Sequence, residues 1–150
     1  MLDNQKHSST ESQPVRLSPE TRRNFAVIIP ALNEVENIPD LVREFEALFR
    51  EYDLSGDIVL VDDGSHDGTA ERARELGNAH WKVISHRRNF GKTEAMLTGA
   101  AHTDAEYLVL YDADLQHSPE EVVRYLAKLQ DGWDIVTGRK VGRYEKNKVS

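Results

Sequence analysis

The chain contains no cysteine. Disulfides and thiolate metal sites are therefore excluded, and the composition is compatible with a reducing compartment. It has no apolar run approaching the roughly 20 residues that cross a bilayer. The polar start, Met1 to Thr21, lacks the apolar centre of a signal peptide. It lacks an excess of positive charge: 19 Lys and Arg stand against 26 Asp and Glu, a formal net charge of -7. Wrapping of nucleic acid needs a basic footprint, so nucleic acid is not an expected partner. What is present is ordinary for a globular domain. Hydrophobic residues make up 39% and charged residues 30% of 150 residues, enough for one domain with a sizeable core. Residues 1–23 are expected to form a flexible tail, rich in Ser and carrying Pro14 and Pro19. Residues 24–150 are expected to form the domain, incomplete at its C-terminus, where a basic stretch from Lys140 to Ser150 stops without a closing element.

Apolar, β-branched runs predict strands at Phe25–Ile29, Ile58–Val61, Trp81–Ile84, Tyr107–Tyr111 and Asp134–Thr137. Between them lie helical patterns. Ile38, Leu41, Val42, Phe45, Leu48 and Phe49 recur at helical spacing, with Asn33 expected as the cap and Pro39 in the first turn. Asp67 is placed to cap a short helix ending at Leu76, and Thr93–Ala101 reads as a helix of small residues. Ser118-Pro119-Glu120-Glu121 is a helix start, and Gly132 is the matching stop. The order βαβαβαβαβ predicts an α/β protein with a mostly parallel sheet covered on both faces and right-handed crossovers.

Polar clusters follow the strands in register: Pro30-Ala31-Leu32-Asn33-Glu34, then Asp62-Asp63-Gly64-Ser65-His66-Asp67-Gly68-Thr69, then Asp112-Ala113-Asp114-Leu115-Gln116-His117, then Gly138-Arg139. Strand carboxyl ends converge at one edge of a parallel sheet, which is where α/β proteins bind ligands. In an extended chain, residues i and i+2 point the same way, so Asp112 and Asp114 are expected to face one hard divalent cation, Mg²⁺ or Mn²⁺. A cation so held retains waters or substrate phosphates, as a nucleotide diphosphate site requires. A carboxylate beyond strand one or two could accept from a base N–H or a ribose hydroxyl. Arg87, Arg88 and Lys92 could neutralise phosphate. Gly91-Lys92-Thr93 lacks the spacing of a P-loop, no Gly-x-Gly-x-x-Gly follows strand one, and Gly64-Ser65-His66 is not a hydrolase elbow. His66, His86 and His117 lie near strand ends but lack a compact ligand set, so zinc is not expected.

Taken in order, the segments Val27 to Asn37, Val61-Asp62-Asp63-Gly64-Ser65-His66-Asp67-Gly68-Thr69, Arg88-Asn89-Phe90-Gly91-Lys92, Asp112-Ala113-Asp114-Leu115-Gln116 and Gly138-Arg139 resemble the family-2 glycosyltransferases of GT-A fold, and among them the polyprenyl- or dolichol-phosphate sugar transferases. The resemblance implies a three-layer α/β/α GT-A domain. It also implies inverting transfer of a sugar from a nucleoside diphosphate sugar to a polyprenyl or dolichyl phosphate, in the cytoplasm or on the cytoplasmic face of a membrane. By resemblance, Pro30, Ala31 and Glu34 line the nucleotide and Asp62 or Asp63 contacts the base region. Val61, Lys92 and Ala113 join the nucleotide-sugar contacts. Asp112, Asp114 and Gln116 hold the metal-diphosphate, and Arg139 binds a phosphate of donor or acceptor, giving a catalytic set of Asp112, Asp114 and Arg139. Lys146 and Ser150, four residues apart, resemble the family's pair for the lipid phosphate, with Lys where Arg is frequent. Rival expectations are a non-catalytic nucleotide-sugar-binding module, a transferase with a polysaccharide acceptor, and a nucleotidyltransferase of related layout.

Overall fold

The computed structural model describes residues 15–134. Among these, four strands form one sheet: β1 (Phe25–Ala31), β2 (Asp57–Asp62), β3 (Trp81–Ser85) and β4 (Tyr107–Leu110). Their spatial order is β3-β2-β1-β4 and every pairing is parallel. Parallel neighbours need long crossovers, and helices supply them. They are α1 (Ile38–Tyr52), entered through a single 3-10 turn at Val35–Asn37, α2 (Thr69–Leu76), α3 (Lys92–Ala101) and α4 (Glu120–Gln130). The expected fifth strand starts at the last described residue, and Ile135 to Thr137 lie outside the described residues.

The sheet is covered on both faces, so β1 and β2 read as continuous apolar runs rather than alternating ones. On one face Phe25, Val27, Ile29, Ile58 and Leu60 meet α1 through Ile38, Leu41, Phe45 and Leu48, α2 through Ala73, and α4 through Val122, Val123 and Leu126. The other face is thinner. Ala26, Val59 and Val61 pack under Ala95 of α3. A Cβ added to Gly99 would lie 2.5 Å from Ile28 Cγ2, so only glycine lets this helix settle so close to the strand.

Two local expectations are corrected. Asn33 does not cap α1. Its φ is +55° and its side chain bonds the loop after β2, while the helix begins later, behind the 3-10 turn. Residues 15–23, read as tail, pack against the domain. Leu17 joins the core, Thr21 is buried, Ser18 N–H donates to Gln130 Oε1 (3.0 Å), and Gln130 Nε2 donates to the Arg16 carbonyl (2.6 Å). Composition flagged this stretch as polar, but Val15, Leu17 and buried Thr21, with bonds to the end of α4 and to Ser55 N–H, hold it.

Candidate active site at the strand carboxyl ends

The chain crosses from β1 to β2 on one side and returns to β4 on the other, so the strand order reverses at β1. The crevice outside such a switch point is the usual ligand position of open α/β sheets. Three loops meet there, and each is shaped by hydrogen bonds.

The loops after β1 and β2 are zipped together. Asn33 N–H donates to Ser65 Oγ (2.8 Å) and His66 N–H donates to Asn33 Oδ1 (3.0 Å). Glu34 N–H donates to Thr69 Oγ1 (3.0 Å) and Val35 N–H to Asp67 Oδ2 (3.2 Å). Asp67 also accepts from the Thr69 N–H and hydroxyl at the start of α2. Burial raises the Asp67 pKa, but these bonds outweigh it and the net shift is downward. A cavity of about 320 Å³ opens here, lined by Asn33, Glu34, Val35, Glu36, Asn37 and Asp67.

Asp62 and Asp63 are both buried. Asp62 accepts from Ser65 N–H (2.9 Å) and Ala70 N–H (3.2 Å), folding its own loop onto the first turn of α2. Asp63 accepts from His86 Nδ1 (2.8 Å), Phe90 N–H (2.9 Å) and Gly91 N–H (2.8 Å), which draws the Ser85–Gly91 loop in behind β2. His86 Nε2 meets Thr98 Oγ1 of α3 at 2.8 Å. Beside a carboxylate, Nδ1 is assigned the proton, so Nε2 accepts from the hydroxyl. Burial pushes the Asp63 carboxyl upward, but the His86 and backbone hydrogen bonds prevail and its pKa lies below the ordinary carboxylate value. Gly64, with φ +85°, lies so close to this loop that a Cβ would come within 2.5 Å of the Arg88 carbonyl carbon.

The acid pair follows β4. The strand ends at Leu110, and a turn begins at Ala113, so the pair is not held by strand geometry as expected. The outward placement nevertheless persists. Tyr111 N–H still donates to Ile28 O (3.0 Å), which prolongs the ladder by one residue. Tyr111 and Ala113 are buried, whereas Asp112 is half-buried and Asp114 exposed. The Tyr111 hydroxyl donates to the His117 carbonyl (2.5 Å) and closes the turn, while Leu115 takes φ +61° and Gln116 N–H donates to Asp114 Oδ1 (3.1 Å). Burial, then the carboxylates of Glu44, Glu121, Asp114 and Asp112, push the Tyr111 phenol well above its ordinary pKa, so it remains a donor. From the first turn of α3, Lys92 Nζ reaches Asp112 Oδ1 at 2.7 Å.

The structure thus brings Lys92 to Asp112, and sets the loops of Asn33, Glu34 and Asp67 beside those of Asp62 and Asp63. Val61 and Ala113 face the core and Ala31 is buried, its carbonyl accepting from Asp63 N–H (2.8 Å); Pro30 is half-buried. Any contact from Ala31, Val61 or Ala113 to a ligand is through the main chain. The three histidines diverge: His66 is exposed, His86 holds Asp63, and His117 Nδ1 meets Glu121 Oε2 (3.1 Å). Sequence reasoning passed over the placing roles of His86, Thr98 and Tyr111. Their partners lie in other loops or beyond a turn, and no periodicity signals such bonds. Arg139, Lys146 and Ser150 lie outside the described residues.

Against this geometry, comparison with known proteins is specific. The sequence model described as "Glycosyl transferase family 2" matches residues 26–149. An undecaprenyl-phosphate 4-deoxy-4-formamido-L-arabinose transferase of Salmonella paratyphi A is 36% identical over 117 residues, covering 76% of this chain and 36% of that protein. The chain therefore spans about a third of the length of this curated relative. The glucosyl-3-phosphoglycerate synthase of Mycobacterium tuberculosis, solved with Mn²⁺, UDP and glucosyl-3-phosphoglycerate, is similar in structure. It has a TM-score of 0.65 and 27% identity over 83% of this chain and 47% of that one. The mannosyltransferase PcManGT of Pyrobaculum calidifontis, solved with GDP-Man and Mn²⁺, shares the fold, with a TM-score of 0.59 and 24% identity over 87% of this chain and 40% of its own. A parallel sheet that reverses its order at β1, polar loops gathered on that reversal, and a family match running through nearly all of them have one reading: the chain belongs to glycosyl transferase family 2 and has the GT-A fold.

Proposed function

We propose that this chain forms the donor-binding part of a metal-dependent, inverting glycosyltransferase that moves a sugar from a nucleoside diphosphate sugar to a polyprenyl or dolichyl phosphate. The observation that carries the reading is the meeting of Lys92 with the Asp112–Asp114 turn at the switch point of the sheet. The acceptor class is supported by the relative that acts on undecaprenyl phosphate, and a divalent cation by the similar structure that contains Mn²⁺.

The residues present fit a cation shared with substrate rather than one caged by protein. Among the described residues no group of three His, Cys, Asp or Glu could hold a metal alone. Asp112 already carries a positive partner, the Lys92 ammonium. Mg²⁺ and Mn²⁺ sites in nucleotide enzymes commonly use one or two carboxylates and take phosphate oxygens for the rest. Asp112 and Asp114, with Gln116 beside them, would hold the ion. Once bound, it neutralises charge developing on the departing diphosphate.

The chain's own residues do the remaining work. Glu34 and the adjoining cavity offer acceptors and shape for the nucleoside. Asp62 and Asp63 act through the loops they anchor. Lys92 supplies a point charge for phosphate. A lipid phosphate is already an anionic nucleophile, so a strong general base is not required of this site. Arg139, Lys146 and Ser150 are proposed for the phosphate and lipid-phosphate contacts of the whole protein. No helix among the described residues is long and apolar enough to cross a membrane. Approach to the membrane surface is assigned to the basic 140–148 stretch.

The test is isothermal titration of a nucleoside diphosphate sugar in the presence and absence of Mn²⁺. Asp112→Ala and Asp114→Ala should each weaken the Mn²⁺-dependent part of binding about tenfold or more, as a hard ligand is lost. Unchanged metal dependence in both folded variants would remove the pair from the site. A transfer assay with polyprenyl phosphate on the whole protein separates transfer from donor binding alone.

A further inference from the structure

Lys92 and Asp112 are 20 residues apart, one opening α3 and the other following β4, yet their contact is built from below. Gly91, the residue before Lys92, is tied to buried Asp63 by its N–H. Asp63 in turn is held by His86, which also bonds Thr98, six residues beyond Lys92 along α3. Gly99 seats that helix on Ile28. The lysine stem therefore starts from a fixed point, while its ammonium end is free to move: the side chain is 63% exposed and that of Asp112 31%.

The ammonium sits 2.7 Å from Asp112 Oδ1. A divalent cation on that same oxygen would meet a like charge at contact distance, so the two compete for one place. We propose that Lys92 is a displaceable counter-ion of Asp112: it neutralises the carboxylate while no divalent cation is bound, yields that place to the cation, and is thereby freed to meet the anionic diphosphate that arrives with it. The inference rests on the assignment of Asp112 as a cation ligand. A lysine suits the exchange because it is a single charge on a flexible stem, whereas an arginine fork would grip the carboxylate with two bonds. One side chain would then couple cation binding to nucleotide binding, and such coupling is reciprocal.

The experiment is a Mn²⁺ titration into the millimolar range, read by electron paramagnetic resonance. The proteins are the full chain, Lys92→Gln, Lys92→Met and Asp112→Asn, each checked for folding by circular dichroism. Titrations are run without nucleotide and then with UDP or GDP. Without nucleotide, both Lys92 variants should bind Mn²⁺ about two- to fivefold more tightly, the scale of releasing one exposed ion pair. The difference should shrink as salt is raised, because exposed charges are screened. With nucleotide the order should reverse, the Lys92 variants binding the Mn²⁺-nucleotide pair more weakly than the parent chain. Asp112→Asn should weaken Mn²⁺ binding in both arms. If Asp112→Asn weakens Mn²⁺ binding but the Lys92 variants bind it no more tightly without nucleotide, the counter-ion role is wrong and the metal assignment stands. If Asp112→Asn leaves Mn²⁺ binding unchanged, both are wrong.

Discussion

At the residue scale, the phenol of Tyr111 decides the shape of the turn that carries the acid pair. Its ring is locked in the core, edge-on to Phe45 at 5.0 Å, and its hydroxyl reaches over the turn to the His117 carbonyl. Asp112 and Asp114 lie between these two fixed points. Phenylalanine would keep the ring and lose only the donor. Tyr111→Phe is therefore expected to destabilise the fold by about 1–3 kcal/mol, the usual cost of an orphaned acceptor, as read from urea denaturation. It should also weaken Mn²⁺ binding, because the turn loses its clasp. A variant with parental stability and Mn²⁺ affinity would show that the backbone of the turn holds itself. His86 is a second residue of this kind. From sequence it is one of three histidines near strand ends; in the fold it is the link between Asp63 and Thr98.

At the scale of elements, α3 is constrained at both its start and its end. It covers the thinner face of the sheet, its first residue faces Asp112, and Gly99 touches β1. Gly99→Ala tests two opposing effects. Alanine favours a helix interior by up to about 1 kcal/mol. Its Cβ would, however, stand 2.5 Å from Ile28 Cγ2, and overpacking of a core costs about 1–3 kcal/mol. The contact should win, giving a less stable protein in chemical denaturation; a more stable one would mean that α3 rides higher on the sheet. Gly64 is under the stronger constraint, since positive φ and a backbone neighbour at 2.5 Å both oppose a side chain. Gly64→Ala should accordingly destabilise more than Gly99→Ala in the same measurement.

For the molecule as a whole, the hydrogen-bonded carboxylates of the loop after β2 set the response to acid. Asp63 and Asp67 have folded pKa values below the ordinary one. The unfolded chain therefore binds their protons more readily, and stability must fall as pH falls. The contribution is complete above about pH 5, fades as pH drops through the unfolded value near about 4, and is gone below the folded value. The thermal midpoint of the parent chain should drop more steeply from about pH 5 to about pH 3 than that of Asp63→Asn, which has no such proton to take up. Equal slopes would mean that Asp63 does not hold the Ser85–Gly91 loop in solution.

The alternation of apolar strands with helical periods was legible in the sequence and determined the element order, because burial on both sheet faces leaves continuous apolar runs such as Ala26–Ile29 and Ile58–Val61. The polar clusters at strand ends were legible for the same reason: a parallel sheet gathers them on one edge whatever its strand order. The strand order itself, with its reversal at β1, came only from tertiary pairing, since nothing along the chain states which edge β4 joins. Nor did the sequence disclose that Asp62 and Asp63, two adjacent acids of one motif, would turn to different loops. One accepts from the first turn of α2 and the other gathers the loop before α3, because successive side chains leaving a strand point to opposite sides. The meeting of Lys92 with Asp112 depends on both, and so was decided by the fold alone.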